Sequence, residues 1–158
     1  METFGDYRRL NGITVPDSYP IPRLYDATAK LAGKKIFSKV DLIRAYQQIP
    51  VYADGIAKTA VITPFGLFEY TRVPFGLRNA AHAFQRFMDE VTRGLDFCFV
   101  YLDDVLIASS TTAEHQQHLN ELFRRFVKYG IKLNPSKCVF HPRTAARISG
   151  YADQCRWC

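Results

Sequence analysis

The stretch Phe97–Ser109, FCFVYLDDVLIAS, places two adjacent aspartates inside an apolar run. Asp103 and Asp104 have valine and leucine on both sides, which predicts two short strands joined by a turn that carries the acids. A buried carboxylate is costly without a partner, and two neighbouring carboxylates are more costly still. The pair therefore needs either exposure to water or a cation.

Both of these explanations are open for the Asp-Asp pair. The first is ordinary turn chemistry, in which both carboxylates are solvated. The second is a divalent metal, because Mg²⁺ prefers carboxylate oxygens and keeps waters that substrate phosphates can replace.

A second acid stands in a similar setting. The segment KIFSKVDL alternates apolar and polar residues and predicts a strand that ends near Asp41. If this strand neighbours the first two, Asp41, Asp103 and Asp104 converge at one edge of a sheet. Three acids there could hold two metal ions about 4 Å apart, an arrangement suited to in-line displacement at phosphorus.

Composition limits the class of protein. The chain has 158 residues, 47% of them hydrophobic and 14% aromatic, which is typical of one folded domain and argues against a disordered chain. The net charge of +6 is compatible with a polyanionic partner such as nucleic acid but does not require one.

The sequence also bears on location. No apolar run reaches the roughly 18 residues of a membrane span, and METFGDYRRLNG lacks the apolar segment of a secretory signal. We expect an intracellular protein, cytoplasmic or nuclear, with no membrane partner. The four cysteines show no disulfide framework, and Cys155-x-x-Cys158 is half of a zinc site without a partner pair.

Periodicity predicts the remaining elements. Helices are expected from Pro22 to Gly33, over one or two turns in IRAYQQI, from Asn79 to Gly94, and from a cap at Thr112 to Gly130. A hairpin is expected around Pro64-Phe65-Gly66, and short strands near Cys138–Phe140 and Ala146–Tyr151. Helices that alternate with strand pairs indicate an α+β fold, an antiparallel sheet with helices on one face.

Five segments in order resemble one family. YLDD at Tyr101–Asp104 resembles the aromatic-x-Asp-Asp box of reverse transcriptases, and FSKVDLIRAYQQIPV resembles their first metal-binding box. TPFGLFEYTRVPFGLRNAAHAFQRFMDEV is similar to the corresponding stretch of gypsy-class LTR retrotransposons. DYRRLNGITVPDSYPIPRL resembles their passage from fingers to palm, and GIKLNPSKC their box after the long helix. The resemblance covers Asp6 to about Lys137.

This resemblance implies an α+β polymerase palm over residues 1–151, with an antiparallel sheet packed on helices, partial fingers and no thumb. Residues 152–158 are expected to form an unrelated or disordered tail. The implied activity is that of an RNA-directed DNA polymerase, a nucleotidyltransferase that joins a dNTP to the 3′-hydroxyl of a primer. The implied partners are an RNA or DNA template with its primer, dNTPs, and the protease, RNase H and integrase domains of a polyprotein.

The resemblance also assigns roles to single residues. Asp41 and Asp103 match the principal ligands of two Mg²⁺ ions, for which Mn²⁺ can substitute. Asp104 matches the third acid, and the backbone carbonyl of Leu42 would also reach a metal. Lys137 matches a residue that could protonate the leaving pyrophosphate.

Four further residues match substrate contacts of the family. Tyr46 matches the steric gate, whose ring lies where a ribose 2′-hydroxyl would go. Phe75 and Gly76 match the turn beside the incoming nucleotide and template, where glycine allows close backbone approach. Arg8 matches a fingers residue near the template strand.

Both ends of the sequence depart from the family pattern. No lysine or arginine precedes Arg8, where the family carries basic residues that clamp the triphosphate, and HPRTAARISGYADQCRWC only loosely resembles the primer-grip region. We therefore expect weak or undetectable synthesis by these residues alone. The alternative function is an inactive truncated or domesticated retroelement fragment that at most binds nucleic acid.

Overall fold

Three antiparallel strands form the main sheet of the protein. The computed structural model describes residues 5–23, 26 and 31–140. β1 (Ile36–Asp41), β4 (Cys98–Tyr101) and β5 (Asp104–Ser109) are ordered β1-β5-β4. β2 (Val61–Thr63) and β3 (Gly66–Phe68) form a separate two-stranded sheet, which is the hairpin that the sequence predicts.

Two helices pack against the main sheet and share one core with it. α3 (Ala80–Val91) buries Phe84 and Met88, and α4 (Thr112–Tyr129) buries Leu119 and Phe126. These side chains recur at helical spacing, so one stripe of each helix faces the core. This arrangement is the α+β fold predicted from the sequence.

The start of α4 differs by one residue from the prediction. The cap is Thr111 rather than Thr112, because the Thr111 hydroxyl accepts from the Glu114 N–H at 3.2 Å while the Glu114 carboxylate accepts from the Thr111 N–H at 3.3 Å. This reciprocal pair is a capping box, a stronger start signal than a single hydroxyl. The helix ends at Gly130, as predicted, with φ +69°.

Short elements occupy the rest of the described chain. α1 (Arg8–Ile13) and α2 (Ala53–Ile56) are α-helical, and Ala45–Gln48 and Ala57–Thr59 are 3₁₀ turns. The first 3₁₀ turn is the helical stretch predicted in IRAYQQI. None of the helices in the described residues is sufficiently long and apolar to cross a membrane.

The prediction of a strand near Cys138–Phe140 is wrong. Val139 forms only an isolated bridge to Lys39, with two backbone hydrogen bonds of 2.8 Å, because a turn at 135–137 directly precedes it. The predicted strand near Ala146–Tyr151, the tail, and Cys155 and Cys158 lie outside the described residues, as does most of the helix predicted after Pro22.

Candidate active site

A cleft of about 340 Å³ opens where β1 ends and the β4–β5 turn begins. Its position follows from the topology, because an antiparallel pair places the last residue of β1 beside the first residue of β5. The side chains and backbone around it come from four separate segments of the chain. The lining residues are Asp41, Leu42, Ile43, Arg44, Ala45, Tyr46, Phe75, Asp103, Asn134 and Lys137.

The strand register brings the three acids to one edge of the sheet. Asp41 pairs directly with Asp104, a relation in which opposite Cα atoms are about 4.5–5.5 Å apart. The Leu42 N–H donates to the Asp103 carbonyl at 3.2 Å and fixes the turn against the end of β1. Leu102 turns the chain with φ +53°, so the hairpin needs only two residues between its strands. The sequence predicts this convergence, and the structure shows it.

The side chains of the three acids separate into two groups. Asp41 and Asp103 line the cleft, whereas Asp104 forms an ion pair with Lys39 at 2.8 Å. The hydrogen bond to Asp104 is the main cause that raises the pKa of Lys39. Within residues 5–23, 26 and 31–140, no three His, Cys, Asp or Glu side chains form a ready metal-binding group.

These carboxylates are not fully buried. Asp103 is exposed, Asp41 is half-buried, and the side chain of Asp104 is 35% exposed. The apolar residues of the hairpin lie on the strands behind the turn, for example Val105 at 0% exposure. Water and Lys39 therefore suffice to stabilise the acids in the folded chain.

The donor set of the cleft fits a hard divalent cation. Asp41 and Asp103 both line the cleft, and Leu42 is a further lining residue. Carboxylate and carbonyl oxygens are the ligands that Mg²⁺ prefers, and Mn²⁺ suits the same donors. Asp104 is paired with Lys39, so it would have to leave that partner to serve as a third carboxylate ligand.

Residues after α4 hold Asp41 in place, and the sequence reasoning assigned them no such role. The Asn134 N–H donates to the Asp41 carbonyl at 2.9 Å, and the Asp41 N–H donates to Cys138 Sγ at 3.3 Å. Burial raises the pKa of the Cys138 thiol, so the sulfur stays protonated at neutral pH. The segment GIKLNPSKC, which resembles a family box, is the signal that could have pointed to this support.

Aromatic rings form one wall of the cleft. The Tyr46 ring meets Phe75 edge-on at 5.7 Å and Phe84 edge-on at 5.7 Å. Phe84 is 1% exposed and belongs to the core, so it anchors the Tyr46 ring. Burial, and secondarily the charge of Asp103, raises the pKa of Tyr46, which therefore remains a neutral phenol.

Gly76 follows Phe75 in a turn that needs glycine. Its φ is +91°, a region that side chains disfavour. A Cβ atom at this position would lie 3.6 Å from Tyr7 Cδ2, an ordinary contact, so the backbone angle rather than crowding within the chain requires glycine.

The two predicted basic residues have different positions. Lys137 lines the cleft and is exposed. Arg8 is not among the lining residues, and its guanidinium binds Asp6 at 2.6 Å while its side chain is 89% exposed. That hydrogen bond raises the pKa of Arg8 and lowers the pKa of Asp6. Arg44, which the sequence reasoning did not select, does line the cleft.

Comparison with known proteins decides the family. The family model described as reverse transcriptase (RNA-dependent DNA polymerase) matches residues 3–153. This chain belongs to the reverse transcriptase family. Membership implies dependence on a divalent metal, in agreement with the donor set of the cleft.

Several curated relatives of this reverse transcriptase chain are transposon polyproteins. It is 42% identical over 142 residues to the retrovirus-related Pol polyprotein from transposon 297 of Drosophila melanogaster, which covers 89% of the chain. It is 36% identical over 137 residues to the Pol polyprotein from transposon gypsy of the same organism, covering 85% of the chain. The chain spans 13% of the length of each of these polyproteins. The predicted resemblance to gypsy-class elements is confirmed.

Solved structures show the same fold. The foamy viral protease–reverse transcriptase dRH in complex with ds DNA matches with a TM-score of 0.80 at 22% identity, covering 85% of this chain and 24% of that one. The foamy viral protease–reverse transcriptase in complex with RNA/DNA hybrid also gives 0.80, at 22% identity and 85% and 18% coverage. The predicted palm-type fold of a reverse transcriptase is therefore confirmed.

Proposed function

We propose that this chain is the RNA-directed DNA polymerase domain of a retrotransposon Pol polyprotein. The observation that carries the proposal is the cleft in which Asp41 and Asp103 lie beside the Tyr46–Phe75 wall. This places acids able to hold metal next to an aromatic surface able to contact a nucleotide. The family supplies the reaction, and the cleft supplies residues suited to it.

In this proposal Asp41 and Asp103 hold two Mg²⁺ ions together with the Leu42 carbonyl. Asp104 is the third acid and would exchange Lys39 for metal. The bound ions would lower the pKa of the primer 3′-hydroxyl and neutralise the triphosphate.

The reaction forms one bond and breaks another at the α-phosphorus of a dNTP. The 3′-oxygen of the primer bonds to that phosphorus, and the bond to the bridging oxygen of the pyrophosphate breaks. Lys137, which lines the cleft, would give a proton to the leaving pyrophosphate. General acid catalysis of this kind contributes about 10²–10⁴-fold.

Tyr46 is proposed to select the sugar. Its ring is held by Phe75 and Phe84, so it cannot swing aside easily to admit a 2′-hydroxyl. Phe75 and Gly76 would contact the base pair that forms, and Arg8 would contact the template from outside the cleft.

The proposed macromolecular partners are an RNA or DNA template with a primer. The net charge of +6 favours association with their phosphates. Because the curated relatives are polyproteins, protease, RNase H and integrase domains are further proposed partners.

Primer extension on poly(rA)/oligo(dT), with dTTP and Mg²⁺ or Mn²⁺, tests the proposal. We expect weak or undetectable extension by the 158-residue chain, and any extension should vanish in Asp103→Asn, which removes one charge from the cleft. Asp96→Asn is the matched control, because Asp96 is also exposed, precedes β4 and lies outside the cleft. Extension that survives Asp103→Asn would refute the site. No extension, combined with binding of the duplex, would instead favour the inactive nucleic-acid-binding fragment.

A further inference from the structure

The turn at residues 75–79 carries one wall of the cleft but belongs to no helix or strand. It begins with Phe75, whose ring touches Tyr46, and turns at Gly76 with φ +91°. Where the Phe75 ring lies therefore depends on what holds the backbone of this turn.

The side chain of Asn11 holds the backbone of this turn by hydrogen bonds. Its Nδ2 donates to the Gly76 carbonyl at 2.8 Å, and the Arg78 N–H donates to its Oδ1 at 2.9 Å. The Arg78 Nη1 also donates to the Asn11 carbonyl at 3.1 Å. One half-buried amide in α1 thus binds two backbone groups that flank Leu77, more than 60 residues away in the sequence.

We propose that Asn11 is a positioning residue that sets the preference of the cleft for deoxyribonucleotides over ribonucleotides. This inference rests on the proposed function, because it takes the Tyr46 ring as the surface that meets the sugar. Asn11 does not line the cleft and acts through the turn.

Of the two rings that contact Tyr46, Asn11 acts on Phe75 and not on Phe84. Tyr46 packs against Phe84, which is 1% exposed in the core, so that contact is fixed. Phe75 is the other contact of the Tyr46 ring, and its backbone is joined to the clamped turn. Without the clamp, Phe75 can withdraw and the Tyr46 ring can follow it, which opens space where a 2′-hydroxyl would otherwise clash.

The expected size of the effect follows from the sensitivity of such sites to displacement. A misplacement of about 1 Å can cost about 10²-fold in rate. A displaced Tyr46 ring should affect the discrimination between the two sugars less than such a displacement can affect a rate. We therefore expect the preference for the deoxyribonucleotide to fall by about tenfold.

Calorimetric titration of the 158-residue chain with dUTP and with UTP, which differ only in the 2′-hydroxyl, measures the preference as the dissociation constant for UTP divided by that for dUTP, with Ca²⁺ present to prevent turnover. Asn11→Ala should lower that ratio about tenfold. Asn11→Asp keeps an acceptor for the Arg78 N–H but loses the donor to Gly76, so its ratio should be intermediate. Asn120→Ala is the control, because Asn120 lies on α4 and its side chain bonds only to α4 in a described contact, with Gln116.

Amide hydrogen exchange at Arg78 supplies a second readout. Loss of the clamp should speed this exchange in Asn11→Ala and leave it unchanged in Asn120→Ala. Faster exchange with an unchanged ratio would show a purely structural clamp and would overturn the inference. A wild-type chain that binds dUTP and UTP equally, or binds neither, would also overturn it. If Asn11→Ala does not fold, the ratio for Asn11→Asp decides the matter, and an unchanged ratio would overturn the inference.

Failure of this inference is distinct from failure of the proposed function. Asp103-dependent primer extension with a ratio that Asn11 does not affect would leave the polymerase assignment intact. A ratio that depends on Asn11 in a chain without Asp103-dependent extension would keep the nucleotide site and reject the polymerase.

Discussion

Ser38→Ala tests how the sheet that carries the acids is fastened to α4. Ser38 lies in β1, three residues before Asp41, and is 2% exposed. Its hydroxyl and His115 Nε2 are hydrogen-bonded at 2.7 Å, and His115 Nδ1 and the Ser109 hydroxyl are bonded at 2.8 Å. The imidazole therefore links β1, β5 and α4 through one buried group.

The magnitude follows from burial. His115 and Ser109 are both 0% exposed, so water cannot readily replace the hydroxyl that Ser38→Ala removes. Loss of one partner from a buried polar group costs about 1–3 kcal/mol, against about 0.5–1.5 kcal/mol for a typical hydrogen bond. We expect the free energy of unfolding to fall by about 1–3 kcal/mol.

Urea denaturation followed by circular dichroism measures the change. Ser136→Ala is the matched control, because it also removes a serine hydroxyl hydrogen bond, to Asn134 Oδ1 at 2.7 Å, but at an exposed position. We expect that control to change stability by less than about 0.5 kcal/mol. A Ser38→Ala variant as stable as the control would refute the reasoning from burial.

Three further predictions concern the helix cap, the pH dependence and the third acid. Thr111→Ala removes the capping box with Glu114 and should lower the unfolding free energy by about 1 kcal/mol in urea titrations, and no loss would contradict the cap. Burial lowers the pKa of His118 below its ordinary 6.5, so the unfolded chain takes up this proton first. The contribution of His118 to stability should thus be complete above about pH 6.5 and fall as the pH drops below it, a trend that His118→Gln should remove from melting curves. Lys39→Met frees Asp104 and should tighten Mn²⁺ binding, measured by calorimetry, by up to about fivefold, because an exposed ion pair contributes about 0–1 kcal/mol. Weaker Mn²⁺ binding by this variant would count against Asp104 as a ligand.

The sequence predicts most of the fold because local patterns determine the main elements. Alternation predicts β1 up to Asp41, and helical spacing predicts α3 and α4. The cap at Thr111 is missed because two adjacent threonines offer the same hydroxyl, and only the position of Glu114 distinguishes them. The strand near Val139 is misjudged because an apolar triplet does not reveal that the preceding turn at 135–137 leaves few residues for pairing.

The residues of the candidate site likewise fall into those that sequence patterns predict and those that they do not. The three acids are found from the sequence because each stands at the end of an apolar strand, and strand pairing then places them together. The support from Asn134 and the clamp by Asn11 depend on contacts between residues far apart in the chain, for example Asn11 with Gly76. No periodicity records such contacts, so the clamp by Asn11 could be recognised only in the folded structure, whereas GIKLNPSKC marks the segment of Asn134 without showing its contact.

The position of Lys39 explains how three acids can share one edge of the sheet without metal. Lys39 pairs with Leu106 across the ladder and Asp41 with Asp104, so Lys39 is the diagonal neighbour of Asp104. Diagonal neighbours are about 7–8 Å apart, within reach of a long side chain. The lysine neutralises one carboxylate while water solvates Asp103, which limits the repulsion among the three. The fold therefore does not need a metal to tolerate these acids, and a metal bound there would serve the chemistry of the cleft rather than the stability of the hairpin.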